Sequence, residues 1–414
     1  MSWGASSLAR TYAVVNLGCK VNRVESDAFE GQLARRGFVA ARSGSADVVL
    51  INTCTVTSDA EKKTRKAVRR ALRDHPDAQV IVTGCSVAID AQAIASMDER
   101  ILCAPKQDIP RIIERMSAER SDDRTAARTG EAHAEQRVRR GVKIQDGCDN
   151  ACTYCIVHVA RGPSQSVPAE GIIEQCAHLL DAGVPEIMLT GINLGAYGHG
   201  GLDLAGLLAQ LISELPLRED DGSLRARLRL SSIEPQNVSA SLVRLIADAE
   251  GAICRHLHLP LQSGSSRVLR EMDRSYGAER FMEVVDLLRS HIPSISITTD
   301  VIAGFPGETE GDLQETMDAC RAARFSKLHV FPYSLREGTP AAERADQVPP
   351  QVKEARARML RTLSAELRSA DIAMRAGTRE LAVVEREGVA MTESYHEVSV
   401  PASCSPGTIV SYAF

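Results

Sequence analysis

Cys148, Cys152 and Cys155 stand in the run IQDGCDNACTYCIV with a C-x3-C-x2-C spacing. Three thiolates at that spacing can hold three corners of a 4Fe–4S cube and leave the fourth iron without a protein ligand. An iron with an open site can bind and reduce another molecule. The same residues permit a second reading, in which His158 joins them in a Cys3His set of the kind that closes around one zinc ion. Disulfides fit poorly in a chain with no secretory features.

A second set of cysteines is spread along the first third of the chain. The apolar runs TYAVVNLGC, DVVLINTC and QVIVTGC end at Cys19, Cys54 and Cys85. Each reads as a buried strand that hands over to a loop at its cysteine. Helices are expected over about Val24 to Arg36, closed by Gly37, and over Ser58 to Arg73. A short strand near Ile101 and a helix over Ile109 to Met116 complete the series. Strand–helix alternation with continuously apolar strands implies a parallel sheet covered on both faces. Ligands bind at the carboxyl edge of such a sheet. Cys19, Cys54 and Cys85 would meet there, each after a small or polar residue (Gly18, Thr53, Gly84). They form a candidate tripod for a metal site that again leaves one iron open.

From about Ser117 to Gln136 the chain is polar and lacks apolar periodicity, which reads as a linker over 121–136. A second strand–helix series follows. Its expected strands are VKIQD, EIMLTGI (186–192), RLRLSSIE (227–234), HLHLPLQS (256–263), SITTDVIAGF (296–305) and KLHVFPYS (327–334). Six units suit an incomplete (βα)6 barrel whose polar and glycine-rich strand ends form the catalytic face. The Cys148 motif follows the first strand on that face. A zinc knuckle needs no barrel behind it, so the cluster reading takes precedence. A helical stretch from about Gln351 to Arg375 ends this region, and the tail reads as a small β unit. The fold class is therefore α/β: an N-terminal parallel-sheet domain (1–120), a linker (121–136), a partial barrel (137–375) and a short C-terminal β domain (376–414).

Length and composition agree with this division. The 414 residues suffice for about two or three domains. Hydrophobic content of 44% and charged content of 25% are those of a globular chain. The net charge of −5 gives no global sign of nucleic-acid binding, though basic residues gather in EKKTRKAVRRALR (61–73) and RVRRGVK (137–143). No segment reads as a signal peptide or a membrane span, so a cytoplasmic location is expected. Eleven cysteines in that setting argue for metal or redox chemistry. Cys103, Cys176, Cys254, Cys320 and Cys404 show no spacing pattern and are expected to be core or incidental thiols.

Taken together, the motifs resemble those of the radical S-adenosylmethionine methylthiotransferases over nearly the whole chain. NLGCKVNRVESD, INTCTVT and VTGC are similar to the family's N-terminal domain. IQDGCDNACTYCIV, LTGINLGAYG, LSSIEP, HLPLQSGS, TTDVIAGFPGET and FPYSLREGTP are similar to its catalytic domain. GCKVNRVESD, NTCTVT and MTESYHEVSV most resemble the branch that modifies N6-threonylcarbamoyladenosine in tRNA. Other branches act on isopentenyl-adenosine in tRNA or on a ribosomal-protein aspartate. A different class, a non-catalytic metal-cluster protein that binds RNA, would keep the cysteines without cleaving S-adenosylmethionine.

The resemblance implies two 4Fe–4S clusters, one on Cys148, Cys152 and Cys155 and one on Cys19, Cys54 and Cys85. The first would pass an electron to S-adenosylmethionine, whose cleavage yields a radical able to take hydrogen from carbon 2 of adenine. The second would be where sulfur is supplied. Tyr154 belongs to the signature. Thr190 and Gly191 fall where the superfamily holds the methionine amino group, although the acidic residue usual there is absent. Ser232 and Glu234 fall near the expected ribose. Gln262 with Ser263, and Ile302 to Gly304, fall near the adenine, while Pro306 and Gly307 are loop formers. The implied partners are a tRNA anticodon loop, an external one-electron reductant and a sulfur donor, with no membrane. The tail is shorter than the family's RNA-binding β-barrel, resembling a truncated TRAM domain. An unpaired loop base is what such an enzyme can reach, and the basic helix over 61–73 is placed to steer phosphates.

Overall fold

The computed structural model describes residues 10–41, 44–54, 58–118 and 137–414. The expected linker at 121–136 lies outside the described residues, as do residues 55–57 of the INTCTVT motif and the first nine residues. The chain forms two compact units. One runs to Gln136 and includes Val159–Gly162; the other comprises Arg137–His158 and Pro163–Phe414.

In the first unit, β1 (Thr11–Asn16), α1 (Lys20–Arg35), β2 (Val39–Ala40), β3 (Val48–Thr53), α2 (Ser58–Asp74), β4 (Gln79–Gly84), α3 (Cys85–Ala95), β5 (Ile101–Cys103) and α4 (Ile109–Ala118) follow in order. The strands make one parallel sheet in the order β2-β1-β3-β4-β5. Side-chain alternation divides its core in two. Leu50 and Ile81 meet Phe29, Leu33, Ile109 and Ile113 on one face. Val49, Ile51, Val80 and Val82 meet Val68 and Val87 on the other. Strand order reverses between β1 and β3, which opens a crevice at their carboxyl ends. α1 begins at Lys20, earlier than the expected Val24, with Cys19 at its N-cap but without a side-chain cap. The usual Ser, Thr, Asp or Asn signal of a helix start is missing there.

In the second unit, six parallel strands are laid out in sequence order. Arg139–Lys143, Glu186–Thr190 and Arg227–Leu230 form one sheet, and His256–His258, Ser296–Ala303 and Lys327–Pro332 another. Parallel bridges Leu228–Ile253 and Ser232–His258 join the two into a partial (βα)6 barrel. Its outward residues and the surrounding helices share the largest apolar core, including Ile187, Leu189, Leu228, Leu230, Leu257, Ile297, Leu328 and Val330. The expected strand over 256–263 is regular only to His258. Gln262 adopts a left-handed backbone (φ 66°) and touches the neighbouring strand through one bridge to Val301. Helix Pro350–Met374 closes the barrel region. An antiparallel sheet follows, formed by Arg379–Arg386, Val389–Thr392, Glu397–Ser399 and Ile409–Ala413.

The barrel floor is an ionic cluster. Glu186 is fully buried and binds Arg139, Arg227 and Arg229, the latter two at 2.7 Å. Burial alone would raise the Glu186 carboxyl, but the three guanidinium groups hold it well below the usual carboxylate range. Arg227 also donates to the carbonyls of Leu381 and Met391, and Arg229 to those of Thr392 and Glu393. Tyr395 stacks on His256 at 4.9 Å between ring centroids, and the Arg229 guanidinium lies 4.8 Å from its ring centre. Thus Arg139, from one of the two basic runs, points into the scaffold. The stretch MTESYHEVSV seals the floor.

Candidate cluster sites and cofactor pocket

The three candidate cysteines of the first unit lie at neighbouring strand ends. Cys19 precedes α1, Cys54 follows β3 and Cys85 opens α3, all at the carboxyl edge of the sheet. Burial raises the Cys85 thiol; Arg161 opposes this, while charge on Cys54 and Cys19 adds to it. Cys85 therefore lies within electrostatic reach of both other thiols. Polar bonds fix the strand ends around them. Asn22 Nδ2 donates to Asn52 Oδ1 (3.0 Å) and to the Thr53 carbonyl (2.7 Å), and Asn52 Nδ2 donates to the Asn22 carbonyl (3.0 Å). The Cys19 thiol donates to Asn22 Oδ1 (3.3 Å). Thr53 Oγ1 donates to the Thr83 carbonyl (2.6 Å), and Ser86 Oγ to the Cys54 carbonyl (2.9 Å). Each buried bond of this kind contributes about 1 kcal/mol, and more is lost if a partner is left unpaired.

Gly84 is required by this arrangement. Its backbone (φ 96°, ψ −163°) is one that essentially only glycine adopts. A Cβ there would lie 2.4 Å from the Thr53 carbonyl oxygen and 2.6 Å from Asn52 Oδ1. Close approach of β3 to β4 at this point sets Cys85 beside Cys54.

In the second unit, Cys148, Cys152 and Cys155 lie on the loop beyond the first barrel strand. Burial raises the Cys155 thiol to about 11, and charge on Cys152 and Cys148 adds to the shift. The Cys148 thiol is raised for the same reasons. The Val157 N–H donates to Cys155 Sγ (3.4 Å) and Arg274 Nη1 to Cys152 Sγ (3.3 Å). The first of these bonds opposes the upward shift at Cys155. Among the described residues, no three His, Cys, Asp or Glu side chains are grouped to hold one metal ion. A zinc ion draws all its ligands to one point, whereas in a 4Fe–4S cube each thiolate binds its own iron.

Arg274 and Gln145 escaped the sequence reading. Arg274 reaches Cys152 and Glu234, and it lies with Tyr276 Oη at 2.8 Å. Gln145 is fully buried. Its amide donates to the Asp146 and Gly147 carbonyls and to Ser164, and its oxygen accepts from the Asn193 N–H (2.9 Å). It ties the cysteine loop to the end of the next strand. A lone Arg after a helix, or a Gln in a strand, carries no signal of such a role.

The other sequence candidates fall as follows. Tyr154 packs against the apolar cluster that includes Phe305 and Tyr333, and burial raises its phenol. Thr190 is buried at its strand end, and its Oγ1 has no partner among the described residues. A Cβ at Gly191 would lie 2.8 Å from Gln145 Oε1, so close packing explains that glycine. Ser232 bridges to His258. Burial raises the Glu234 carboxyl against the pull of Arg274. Gln262 holds its left-handed turn through backbone bonds to Asp300 and Ile302, and the nearby Ser263 is buried. The Gly304 N–H donates to Glu308 Oε2 (2.8 Å), and a Cβ at Gly304 would strike Lys353. Cys176, Cys254 and Cys320 are buried, whereas Cys103 and Cys404 are partly exposed.

Comparison with known proteins places this geometry in a family. The profile described as "Radical SAM superfamily" matches residues 142–320, and "Uncharacterized protein family UPF0004" matches residues 11–103. The chain is 39% identical over 374 residues to "Threonylcarbamoyladenosine tRNA methylthiotransferase MtaB" of Bacillus subtilis, covering 86% of this chain and 81% of that protein. It is 35% identical to the protein of the same name in Thermotoga maritima, with 85% and 81% covered. It is 34% identical to "tRNA-2-methylthio-N(6)-dimethylallyladenosine synthase" of Carboxydothermus hydrogenoformans, with 84% and 81% covered. Among solved structures, the radical S-adenosylmethionine methyltransferase TsrM of Kitasatospora setae superposes with a TM-score of 0.58 at 17% identity, covering 81% of this chain and 77% of that one. That likeness concerns the fold.

A radical S-adenosylmethionine fold with a second thiol triad on an N-terminal α/β unit thus defines the class. The chain belongs to the methylthiotransferase family of radical S-adenosylmethionine enzymes, which transfer sulfur-containing groups.

The family's chemistry uses S-adenosylmethionine and a 4Fe–4S cluster, and the residues present suit both. Three thiols within electrostatic reach of one another lie at the catalytic face. Near the neighbouring strand ends, the buried oxygens Thr190 Oγ1, Asn193 Oδ1 and Ser231 Oγ have no partner among the described residues. Buried polar atoms normally find partners, so these are open to a polar ligand.

Proposed function

We propose that this protein attaches a methylthio group to carbon 2 of N6-threonylcarbamoyladenosine beside the anticodon of tRNA. The observation that carries the reading is the pair of thiol triads, one on each unit, in a chain similar to proteins named for this reaction over most of its length. When bound, S-adenosylmethionine and the clusters supply the one-electron chemistry that an unreactive aromatic C–H bond requires. Cys148, Cys152 and Cys155 hold the catalytic cluster, and Arg274 offsets negative charge at Cys152. Thr190, Gly191, Ser232, Glu234, Gln262, Ile302 and Gly304 line the cofactor region, with Tyr154 packed behind it. Cys19, Cys54 and Cys85 would hold a second 4Fe–4S cluster, which would supply the sulfur-transfer chemistry. An external one-electron reductant and a sulfur donor complete the reaction. The enzyme acts in the cytoplasm, where tRNA is found. No described helix is long and apolar enough to cross a membrane. Functionally the chain divides at 1–120, 137–375 and 376–414, the last serving as an RNA-facing module.

A second reading, action on isopentenyl-adenosine, has the 34% identity to the Carboxydothermus protein in its favour. Reconstituted enzyme is offered matched anticodon stem-loops bearing threonylcarbamoyl, isopentenyl or unmodified adenosine, and the products are read by nucleoside mass spectrometry. The expected product is the 2-methylthio derivative of the first. Equal or faster conversion of the isopentenyl substrate would overturn the assignment.

A further inference from the structure

The inner wall of the barrel carries a polar group that none of the preceding roles uses. His258 Nε2 lies 3.3 Å from Asp300 Oδ1, and its Nδ1 lies 3.0 Å from Thr298 Oγ1. Thr298 Oγ1 in turn lies 3.1 Å from His256 Nε2. The His329 ring centre stands 5.5 Å from that of His258. Register pairs Asp300 with His329 and Ile302 with Phe331 on neighbouring strands, so all four share one face. Leu328 and Val330 point the other way, into the apolar core.

The barrel interior of an ordinary βα protein is filled by branched apolar side chains. This stretch is polar and remains open. The Asp300 side chain is 30% exposed and Phe331 is 43% exposed. One step up the same wall, Ile302 packs against the apolar cluster of Phe305 and Tyr333 that Tyr154 of the cysteine motif also joins. The wall therefore leads from the cluster loop past an uncovered aromatic ring to a carboxylate with two imidazoles.

We propose that His258, Asp300, His329 and Phe331 are the pocket that recognises the substrate base and its N6 substituent. This rests on the substrate reading above and deepens it. Phe331 offers its face for stacking an unpaired adenine, as aromatic side chains do in RNA recognition. His329 donates to the carboxylate of the threonylcarbamoyl group. Asp300, oriented by His258 and Thr298, accepts from its hydroxyl or ureido N–H. An isopentenyl group satisfies none of these and would leave polar groups desolvated, the arrangement that gives the strongest rejection of an apolar analogue.

Full-length, cluster-reconstituted protein is titrated into the three labelled stem-loops with fluorescence anisotropy as the readout. Wild type is compared with Asp300→Asn, His329→Gln and Phe331→Ala, each checked for iron content and melting temperature. Asp300→Asn and His329→Gln should weaken the threonylcarbamoyl stem-loop about 10- to 100-fold, the range of one hydrogen bond to a charged group, and leave the other two within about twofold. Phe331→Ala should weaken all three alike. Where His329→Gln does not fold, Asp300→Asn, which keeps the side chain's shape, decides. A wild-type preference retained by the folded Asp300 and His329 variants overturns the pocket assignment, as does an equal loss for all three stem-loops. If wild type itself binds the three alike, the substrate reading fails and this pocket with it.

Discussion

Replacing Gly84 by alanine tests whether strand packing, rather than the cysteines alone, builds the second thiol triad. Two costs apply. The backbone at φ 96°, ψ −163° is strained for any residue with a Cβ, by about 1–3 kcal/mol. In addition, the new methyl would overlap the Thr53 carbonyl oxygen and Asn52 Oδ1, at 2.4 and 2.6 Å, and these atoms belong to the network that fixes Cys54 and Asn22. Relief requires β3 and β4 to separate, which breaks at least one buried bond worth about 1 kcal/mol. Gly37→Ala is the control: its φ is 81°, yet a Cβ there meets none of the described residues within 4 Å. It should cost about 1–2 kcal/mol from the backbone alone. Gly84→Ala should exceed it by about 2 kcal/mol and lower the iron bound by the first unit, while the Cys148 triad keeps its own. Denaturant melts and iron analysis after anaerobic reconstitution supply both readouts. Equal stability losses for the two variants, with full iron in both, would refute the reasoning.

Reconstituted wild type should carry about eight irons, and Cys148, Cys152 and Cys155 changed together to Ala about four. With Cys19, Cys54 and Cys85 changed instead, reduced enzyme should still release 5′-deoxyadenosine but form no methylthio product; loss of the cleavage step with the other cluster intact would contradict this. Glu186→Gln should destabilise the second unit by about 3–5 kcal/mol, because the buried Arg227 and Arg229 guanidinium groups lose their counter-charge; a denaturant midpoint like wild type would count against that. Burial would raise the Asp371 carboxyl, but hydrogen bonds from His396 and Arg375 outweigh it and hold it down to about 2. Its folded pKa is thus below its unfolded value of 3.8, so the stabilisation of about 2 kcal/mol is present above that value and fades as pH falls from about 5 to 2. Asp371→Asn should flatten that part of the stability–pH curve, and an unchanged acid slope would argue against the linkage.

The placement of the six cysteines at strand ends and on one loop was legible because strand ends and Cys spacing are both local features. Each cysteine of the first triad sits one residue or a few beyond an apolar run, and a parallel sheet brings such ends together without further information. The six barrel strands were legible for the same reason. What stayed hidden depends on tertiary placement. Val39–Ala40 is too short a strand to show a pattern. Arg274 gains its role only when the chain returns to Cys152 and Glu234. Gly191 reads as a cofactor loop residue until Gln145 is seen against it. The segment MTESYHEVSV marks a branch of the family by resemblance, yet Thr392, Glu393, Ser394 and His396 are buried in the scaffold.

That burial bears on how the enzyme can be rebuilt. Arg227 and Arg229 rely on carbonyls of Leu381, Met391, Thr392 and Glu393 for acceptors that their strands do not supply. The C-terminal sheet is therefore less an appendage than the stopper of the barrel. A chimera that exchanges C-terminal tails at residue 376 would uncork two desolvated cations along with the tail. Grafts should instead retain residues 379–396 and vary the surface of the last two strands, leaving the floor sealed while the outer face changes its partner.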